Sequence, residues 1–146
     1  MTTAPRRALT ASLLVLAVAV GTAGCDAARE AAGDLASSAS AAVSGAARER
    51  MDRIKDGANA TGDVTAGPVS ADGDRTAAAV TAANPLDSTA DYTVMVVFRD
   101  AAGAVLDAVV LTVDRVAAGT AKSGTARSHR TLDGATTAEV VRALRH

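Results

Sequence analysis

Both aromatic residues of this chain lie in one seven-residue run, Tyr92-Thr93-Val94-Met95-Val96-Val97-Phe98. Alternate residues from Tyr92 to Phe98 fall on one face of an extended strand, and β-branched and aromatic residues are typical of strands. The chain has one Tyr, one Phe and no Trp, and alanine makes up about a quarter of its 146 residues. Because alanine buries little area, the core must come from Val, Leu and the few aromatic positions. The sequence therefore predicts one domain with a small core.

Further short strands are predicted on both sides of this run, separated by turn signals about every ten residues. The predicted strands cover residues 62–66, 75–83, 92–98, 104–113, 121–128 and 138–144. The predicted turns lie at Gly67-Pro68, Asn84-Pro85, Asp100–Gly103, Ala117–Thr120 and Asp133-Gly134, and Gly103 is able to adopt a positive φ. Such spacing is typical of an all-β, antiparallel β-sandwich, here over residues 62–146.

The first 25 residues have the layout of a secretory signal. Arg6 and Arg7 form a positive region, residues 8–20 are uncharged and mostly apolar, and small residues precede Cys25. A hydrocarbon core of about 30 Å needs about 20 apolar residues, so this stretch is short for a retained transmembrane helix. We therefore expect a cleaved export signal, with a retained helix as the less favoured alternative.

Thr22-Ala23-Gly24-Cys25 resembles a bacterial lipobox, although leucine or another aliphatic residue is usual at the position of Thr22. The resemblance implies a diacylglyceryl group on Cys25 and cleavage before it, which makes residues 1–24 a signal peptide. Two acyl chains suffice for stable attachment to a bilayer. This predicts a protein anchored on the outer face of the cytoplasmic membrane, with a secreted protein as the alternative. Cys25 is the only cysteine, which excludes an internal disulfide.

The arginine pair also resembles a twin-arginine export signal. Pro5 precedes the pair and the surrounding residues match that pattern poorly. The general secretory route is therefore preferred, and the twin-arginine route stays open.

Residues 25–61 contain few large apolar residues, which are Leu35, Val43, Met51 and Ile54. Residues 27–32 and 46–55 are good helix formers, whereas the serines between them weaken helix propensity. This composition predicts that residues 25–61 form an Ala/Ser-rich, mobile stalk that carries the domain and is partly helical or disordered. The alternative is an amphipathic helix that docks on a partner or the bilayer, which the thin apolar stripe disfavours.

A second resemblance covers roughly residues 64–145. The segments Val80–Pro85, Ala90–Asp100, Gly103 and Ala118-Gly119-Thr120 are similar to the small immunoglobulin-like domains of the FxLYD type, which recur in surface lipoproteins of high-GC Gram-positive bacteria. The resemblance implies an immunoglobulin-like sandwich in which the strand from Tyr92 to Phe98 packs in the core and Asn84 ends the preceding strand. It also implies no enzymatic activity.

No catalytic or metal-binding motif in the sequence is complete. His129 and His146 are the only histidines, and His129 lies between the cations Arg127 and Arg130, which disfavour metal binding. Ser123 and Ser128 could join His129 in a triad only on paper, since no nucleophile elbow is present. Asp72-Gly73-Asp74 lacks the further ligands of a calcium loop and predicts a plain turn. The sequence predicts no cofactor and no metal.

Charge and composition limit the partners. The net charge is −1, and removal of Arg6 and Arg7 with the signal leaves 13 basic and 16 acidic residues, a net charge of −3. This gives no electrostatic basis for binding nucleic acid. The expected function is non-catalytic, a module for interaction with an envelope protein or for envelope scaffolding. The alternative is a ligand-capturing or hydrolytic accessory, which the shortage of aromatic residues disfavours.

Overall fold

The structure is a computed structural model, and it describes residue 38 and residues 40–146. Helix α1 covers residues 40–52, and a short 3-10 helix covers Thr61–Asp63. The strands are β1 (Ala58–Asn59), β2 (Val64–Asp72), β3 (Arg75–Ala83), β4 (Ala90–Asp100), β5 (Val105–Val116), β6 (Ala121–Arg127) and β7 (Ala135–Arg145). The predictions about the signal peptide and Cys25 lie outside the described residues.

The strands form two antiparallel sheets that pack face to face. One sheet has the strand order β1-β7-β4-β5, and the other has the order β2-β3-β6. The all-β sandwich predicted from the strand pattern is therefore confirmed. The turn at residues 100–103 is also confirmed, because the amides of Ala102 and Ala104 donate to Oδ1 of Asp100 at 2.9 Å and Gly103 has φ +84°.

Strand β4 lies at the centre of the core. The face of β4 toward the second sheet is completely buried at Tyr92, Val94, Val96 and Phe98. These side chains belong to one apolar cluster with alanines and valines of β3 in the second sheet and with valines of the neighbouring strand β5. The intervening residues Thr93, Met95 and Val97 are buried as well. A strand that is covered on both faces is typically a continuous apolar run, and β4 fits that pattern because α1 covers its outer face.

Helix α1 packs across the outer face of the four-stranded sheet. Ala47 and Met51, four residues apart, form a second apolar cluster with Met95, Val97 and Leu144. Met51 has no exposed surface, and full burial of such a side chain contributes about 1.5–3 kcal/mol. The helix at residues 46–52 agrees with the helix formers predicted at 46–55, whereas α1 begins before Ser44 and Gly45, which were expected to weaken it, and ends at residue 52. The contact of α1 with the chain's own sheet was not predicted from the sequence.

The described residues after α1 also join the sandwich. β1 pairs with the end of β7, with Ala58 opposite Arg145. The amide of Ala60 donates to the carbonyl of Ala143 at 2.9 Å. Residues 40–61 are therefore packed and paired with the sheets, in contrast to the mobile tether expected for this segment.

Strand β2 is longer than the sequence predicted. The expected turn at Gly67-Pro68 is wrong, since β2 continues to Asp72 and the pairing with β3 shifts register between Ala66 and Val69. Proline lacks an N–H group, and an edge strand with a bulge tolerates it because that position needs no ladder hydrogen bond. Strand β7 likewise begins at Ala135, three residues before the predicted start.

Asn84 closes one end of the sandwich. β3 ends at Ala83, so the strand end that the resemblance implied is observed. The buried side chain of Asn84 donates to the carbonyls of Ser88 at 2.7 Å and Val116 at 2.9 Å, and the hydroxyl of Tyr92 donates to the carbonyl of Ala83 at 3.2 Å. These bonds satisfy the polar groups where the chain leaves the core.

Candidate functional site

The residues of the predicted signal and lipobox are not among those that the structure describes. Arg6, Arg7, Thr22, Ala23, Gly24 and Cys25 all lie outside the described residues. The part of the chain that the structure describes contains no helix long and apolar enough to cross a membrane.

A concave surface lies between α1 and β5, and we call it the α1–β5 groove. Its volume is about 940 Å³. Helix α1 contributes Ser40, Val43, Ala46, Ala47 and Arg50; the β4–β5 hairpin contributes Asp100, Ala104, Val105, Leu106, Asp107, Ala108 and Val110; the loop before β7 contributes His129 and Arg130. Most of the lining is aliphatic, with polar groups at a few points.

The groove exists because β5 is the outermost strand of its sheet and α1 crosses the sheet obliquely. At the start of the described helix, the hydroxyl of Ser40 donates to the carbonyl of Val105 in β5 at 2.6 Å. At its end, Asp52 pairs with Arg142 of β7 at 2.5 Å. The helix therefore moves away from β5 toward β7 along its length, and the outer face of β5 around Ala108 and Val110 borders the space that remains.

The carboxylate of Asp107, a buried residue, also lines the groove. Asp107 is only 2% exposed, and its two oxygens accept hydrogen bonds from the amides of Ala108 at 2.8 Å and His129 at 2.7 Å. Nδ1 of His129 lies 3.0 and 3.1 Å from the same two oxygens. The His129 ring is mostly exposed. Asp107 thus fixes both the backbone and the imidazole of His129 beside the groove.

None of the nearby hydroxyl groups is bonded to His129. Ser40 donates to Val105, and the hydroxyl of Ser128 accepts from the amide of Thr76 at 2.9 Å and donates to the carbonyl of Arg130. Ser123 bonds to Thr81 in the other sheet at 2.8 Å. The triad that could be written on paper from these residues is therefore not assembled.

Possible metal ligands are also dispersed over the described residues. Within residues 38 and 40–146, no group of three or more His, Cys, Asp or Glu side chains is placed to hold a metal ion. Asp72-Gly73-Asp74 forms the β2–β3 turn, as the sequence predicted, and the carboxylate of Asp72 pairs with Arg127 at 2.5 Å. Among the described residues, no hydroxyl group is bonded to the Asp107–His129 pair.

Two arginines line the groove without an ion-pair partner among the described residues. Arg50 makes no salt bridge, and Arg130 donates only to the carbonyl of Leu106 at 3.2 Å. Five other arginines have carboxylate partners among the described residues, namely Arg75, Arg99, Arg127, Arg142 and Arg145. The groove therefore joins an aliphatic surface to two arginines and two carboxylates, those of Asp100 and Asp107.

Comparisons with protein-family models, with curated proteins and with solved structures found no match. The resemblances to a lipobox and to FxLYD-type domains therefore stay predictions.

Asp107 and the groove were not predicted from the sequence. One signal was present: Asp107 is the single acidic residue in the otherwise apolar segment Leu106–Leu111. An acidic residue among strand residues that face a core requires hydrogen-bonding partners. Those partners could not be identified, because His129 lies 22 residues further along the chain.

Proposed function

We propose that this chain is an exported lipoprotein, anchored on the outer face of the cytoplasmic membrane through Cys25, with a non-catalytic β-sandwich that serves as a binding module. The observation that carries the proposal is the order of a positive region, a short apolar stretch and small residues directly before the chain's only cysteine. The protein-binding and scaffolding role is preferred for the module, and its FxLYD-type kinship is part of the proposal.

The position of the sandwich relative to Cys25 suits such an anchor. The first described helical residue, number 38, follows Cys25 by 13 residues. A chain of that length reaches at most about 45 Å when fully extended. Two acyl chains on Cys25 would therefore keep the module close to the bilayer, and no other membrane-attached element is needed.

Strand β5 supports a protein-binding role for the module. It is an edge strand of the larger sheet, and edge strands can accept a strand from another protein. The edges of the smaller sheet carry features that discourage pairing, which are Pro68 with its bulge in β2 and Lys122 in β6. A partner strand from an envelope protein would therefore add at β5.

The α1–β5 groove favours a second candidate function, the capture of a small ligand. Ligand sites are typically concave, mostly apolar clefts of about 300–1,000 Å³ with a few polar groups. The groove fits that range at about 940 Å³ and carries Arg50 and Arg130 on an aliphatic lining. Ligand capture and strand addition use neighbouring surfaces of β5, so one module can carry both.

Lipidation is tested by comparing the mature wild-type protein with Cys25→Ser. We expect the wild type to enter the detergent phase in a phase-partition experiment and to carry the mass of a diacylglyceryl group on Cys25. The Cys25→Ser protein should carry no diacylglyceryl mass. If both proteins stay aqueous with a start near residue 25, the protein is secreted, and if residues 1–24 remain attached in both, the export proposal is wrong.

A further inference from the structure

We propose that β5 pairs edge to edge with β5 of a second copy of this chain, as an antiparallel pair centred on Leu111. The inference rests on the strand addition proposed above for β5 and names the partner of that edge. It depends neither on lipidation of Cys25 nor on a ligand in the α1–β5 groove.

The backbone groups of alternate residues in β5 point away from β4. β5 pairs with β4 without a register shift from Asp107 to Val113, and the backbone groups of successive residues in such a ladder point to opposite sides. The N–H of Ala108 donates to its neighbour Asp107 at 2.8 Å, whereas the N–H of Arg115 donates to Asp91 of β4 at 2.5 Å. The residues whose groups face the open side of β5 are therefore Ala108, Val110, Thr112 and Asp114.

Two of these open-side groups are already occupied within the chain. The N–H of Ala108 is held by Asp107, and the C=O of Asp114 accepts from Nζ of Lys122 at 2.7 Å. Among the described residues, no group bonds to the open-side N–H and C=O of Val110 and Thr112. Unpaired backbone groups at a strand edge are a template for another strand.

The two occupied groups select one register and a second copy as the partner. In an antiparallel pair, directly opposite residues exchange both hydrogen bonds. When Leu111 lies opposite its own copy, Ala108 faces Asp114, so the occupied N–H meets the occupied C=O. A shift that centres the pair on Val110 or Thr112 places an occupied group against a free one and leaves the free one unpaired. The edge is thus complementary to itself about Leu111.

This register gives every free group a partner. Val110 of each copy faces Thr112 of the other, and each of these facing pairs exchanges two hydrogen bonds. At both ends, the N–H of Asp114 donates to the C=O of Ala108. Leu111, which is half-buried between the buried Val109 and Val113, meets its own copy at the centre. Apolar surface that the single molecule leaves in water is covered there.

The charges at the two ends of the pair are complementary. Neither Asp114 nor Arg130 makes a salt bridge among the described residues, and Arg130 donates to the C=O of Leu106 at 3.2 Å. Asp114 and Ala108 lie on the same face of β5 because side chains alternate, and Arg130 lines the groove on that face. Diagonal neighbours across a strand pair are about 7–8 Å apart. Arg130 of one copy is therefore within reach of Asp114 of the other.

The open edge of β7 is less suited to such pairing. β7 has an extra residue at Thr136 and another at Val141, where its pairing with β4 shifts register. Bulges of this kind twist an edge away from a partner strand. By contrast, residues 108–113 of β5 contain neither a proline nor a charge.

Cysteine cross-linking tests the pair. In the Cys25→Ser chain an introduced cysteine is the only thiol, and Leu111→Cys places two thiols opposite each other. We expect oxidation of the purified chain with copper phenanthroline to give a disulfide-linked dimer on a non-reducing gel. The matched control is Thr137→Cys, exposed on β7. It should give at least about 10-fold less dimer, because a disulfide needs Cα atoms within about 7 Å.

A mixture of two variants tests the register. Val110→Cys and Thr112→Cys lie opposite each other in the pair, with Cα atoms about 5.5 Å apart. Each lies about 7–8 Å from its own copy. The mixture should therefore cross-link about 10-fold more than either variant alone.

Charge reversal in the Leu111→Cys background tests the ends of the pair. Arg130→Asp and Asp114→Arg each place like charges together at both ends, so each should reduce cross-linking several-fold. Mixing these two variants restores both opposite-charge pairs and should restore cross-linking. Asp133→Arg, a reversal at an exposed loop residue, should leave cross-linking unchanged.

Three outcomes would overturn the proposal. Equal cross-linking by Leu111→Cys and Thr137→Cys removes the second copy as the partner of β5. Self-cross-linking of Thr112→Cys as strong as that of the mixture removes the register centred on Leu111. Failure of the mixed charge variants to recover removes the pair of Asp114 with Arg130. The mixture of Val110→Cys and Thr112→Cys keeps the test valid if Leu111→Cys does not fold. A chain that stays monomeric leaves strand addition by another protein and the phase-partition result untouched.

Discussion

Asp107 joins two segments of the chain at the mouth of the groove, because its carboxylate oxygens accept amides from β5 and from the loop before β7. Oδ1 accepts from Ala108 and Oδ2 from His129. Asp107→Asn keeps the side-chain shape but leaves one acceptor oxygen, so one of these amides faces an NH₂ group. A buried donor without an acceptor costs about 1–3 kcal/mol. We expect urea denaturation to show the free energy of unfolding lowered by about that amount.

The matched control is Asp114→Asn, which changes an exposed carboxylate on the same strand. Its effect on the free energy of unfolding should stay within about 0.5 kcal/mol, as is usual for surface substitutions. Equal unfolding midpoints for Asp107→Asn and the wild type would show that the carboxylate does not join the two segments as described.

Contacts between residues distant in sequence, such as Asp107 and His129, were the features least predictable from the sequence. The sequence does not reveal Asp107 as the partner of His129, because the two residues are 22 positions apart along the chain. The partnership depends on how the loop of residues 128–132 folds back on β5. Pattern and spacing carry no information on such a contact, since it is made between segments that are distant in sequence.

Helix α1 depends on Met51 for its attachment to the sheet. Met51 is completely buried and packs in one cluster with Met95, Val97 and Leu144. Met51→Ala would remove most of this contact and leave a cavity, and substitutions of this type cost about 2–5 kcal/mol. We expect a lower free energy of unfolding in urea, by about 2 kcal/mol or more, and faster amide hydrogen exchange along α1.

Arg48→Ala serves as the control because Arg48 is exposed on the same helix. It should change the free energy of unfolding by less than about 0.5 kcal/mol. If Met51→Ala were as mild as Arg48→Ala, α1 would be a loosely held stalk, as the sequence alone suggested.

The helix illustrates what hydrophobic patterning could and could not predict. Helix formers over residues 46–55 correctly indicated a helix. Val43 and Met51 recur at a spacing of eight residues, which looked too sparse for a packed face. Ala47 lies between them and is buried. A buried alanine and an exposed alanine are indistinguishable in an alanine-rich sequence, so the docked face was invisible.

For the whole molecule, the strand order along the chain was largely predictable and the packing of layers was not. The hairpins are encoded locally, by Asp100 and Gly103 between β4 and β5 and by Gly73 between β2 and β3. The burial of the second face of β4 could be inferred from the sequence, because Met95 and Val97 are apolar where a solvent-exposed face would be polar. What covers that face is decided by tertiary contacts outside the strand itself.

These contacts make α1 and the sandwich one cooperative unit, since Met95 and Val97 on one face of β4 hold the helix while Tyr92 on the other face lies in the core. Tyr92 is the only tyrosine and there is no tryptophan, so its emission reports on the core alone. In urea, amide protection of residues 43–52 should be lost at the same concentration at which Tyr92 emission changes, as expected for two-state unfolding. The Cys25→Ser chain suits this measurement because it carries no diacylglyceryl group. Loss of helix protection at clearly lower urea would mean that α1 unfolds from an intact sandwich, and the α1–β5 groove would then be a transient surface.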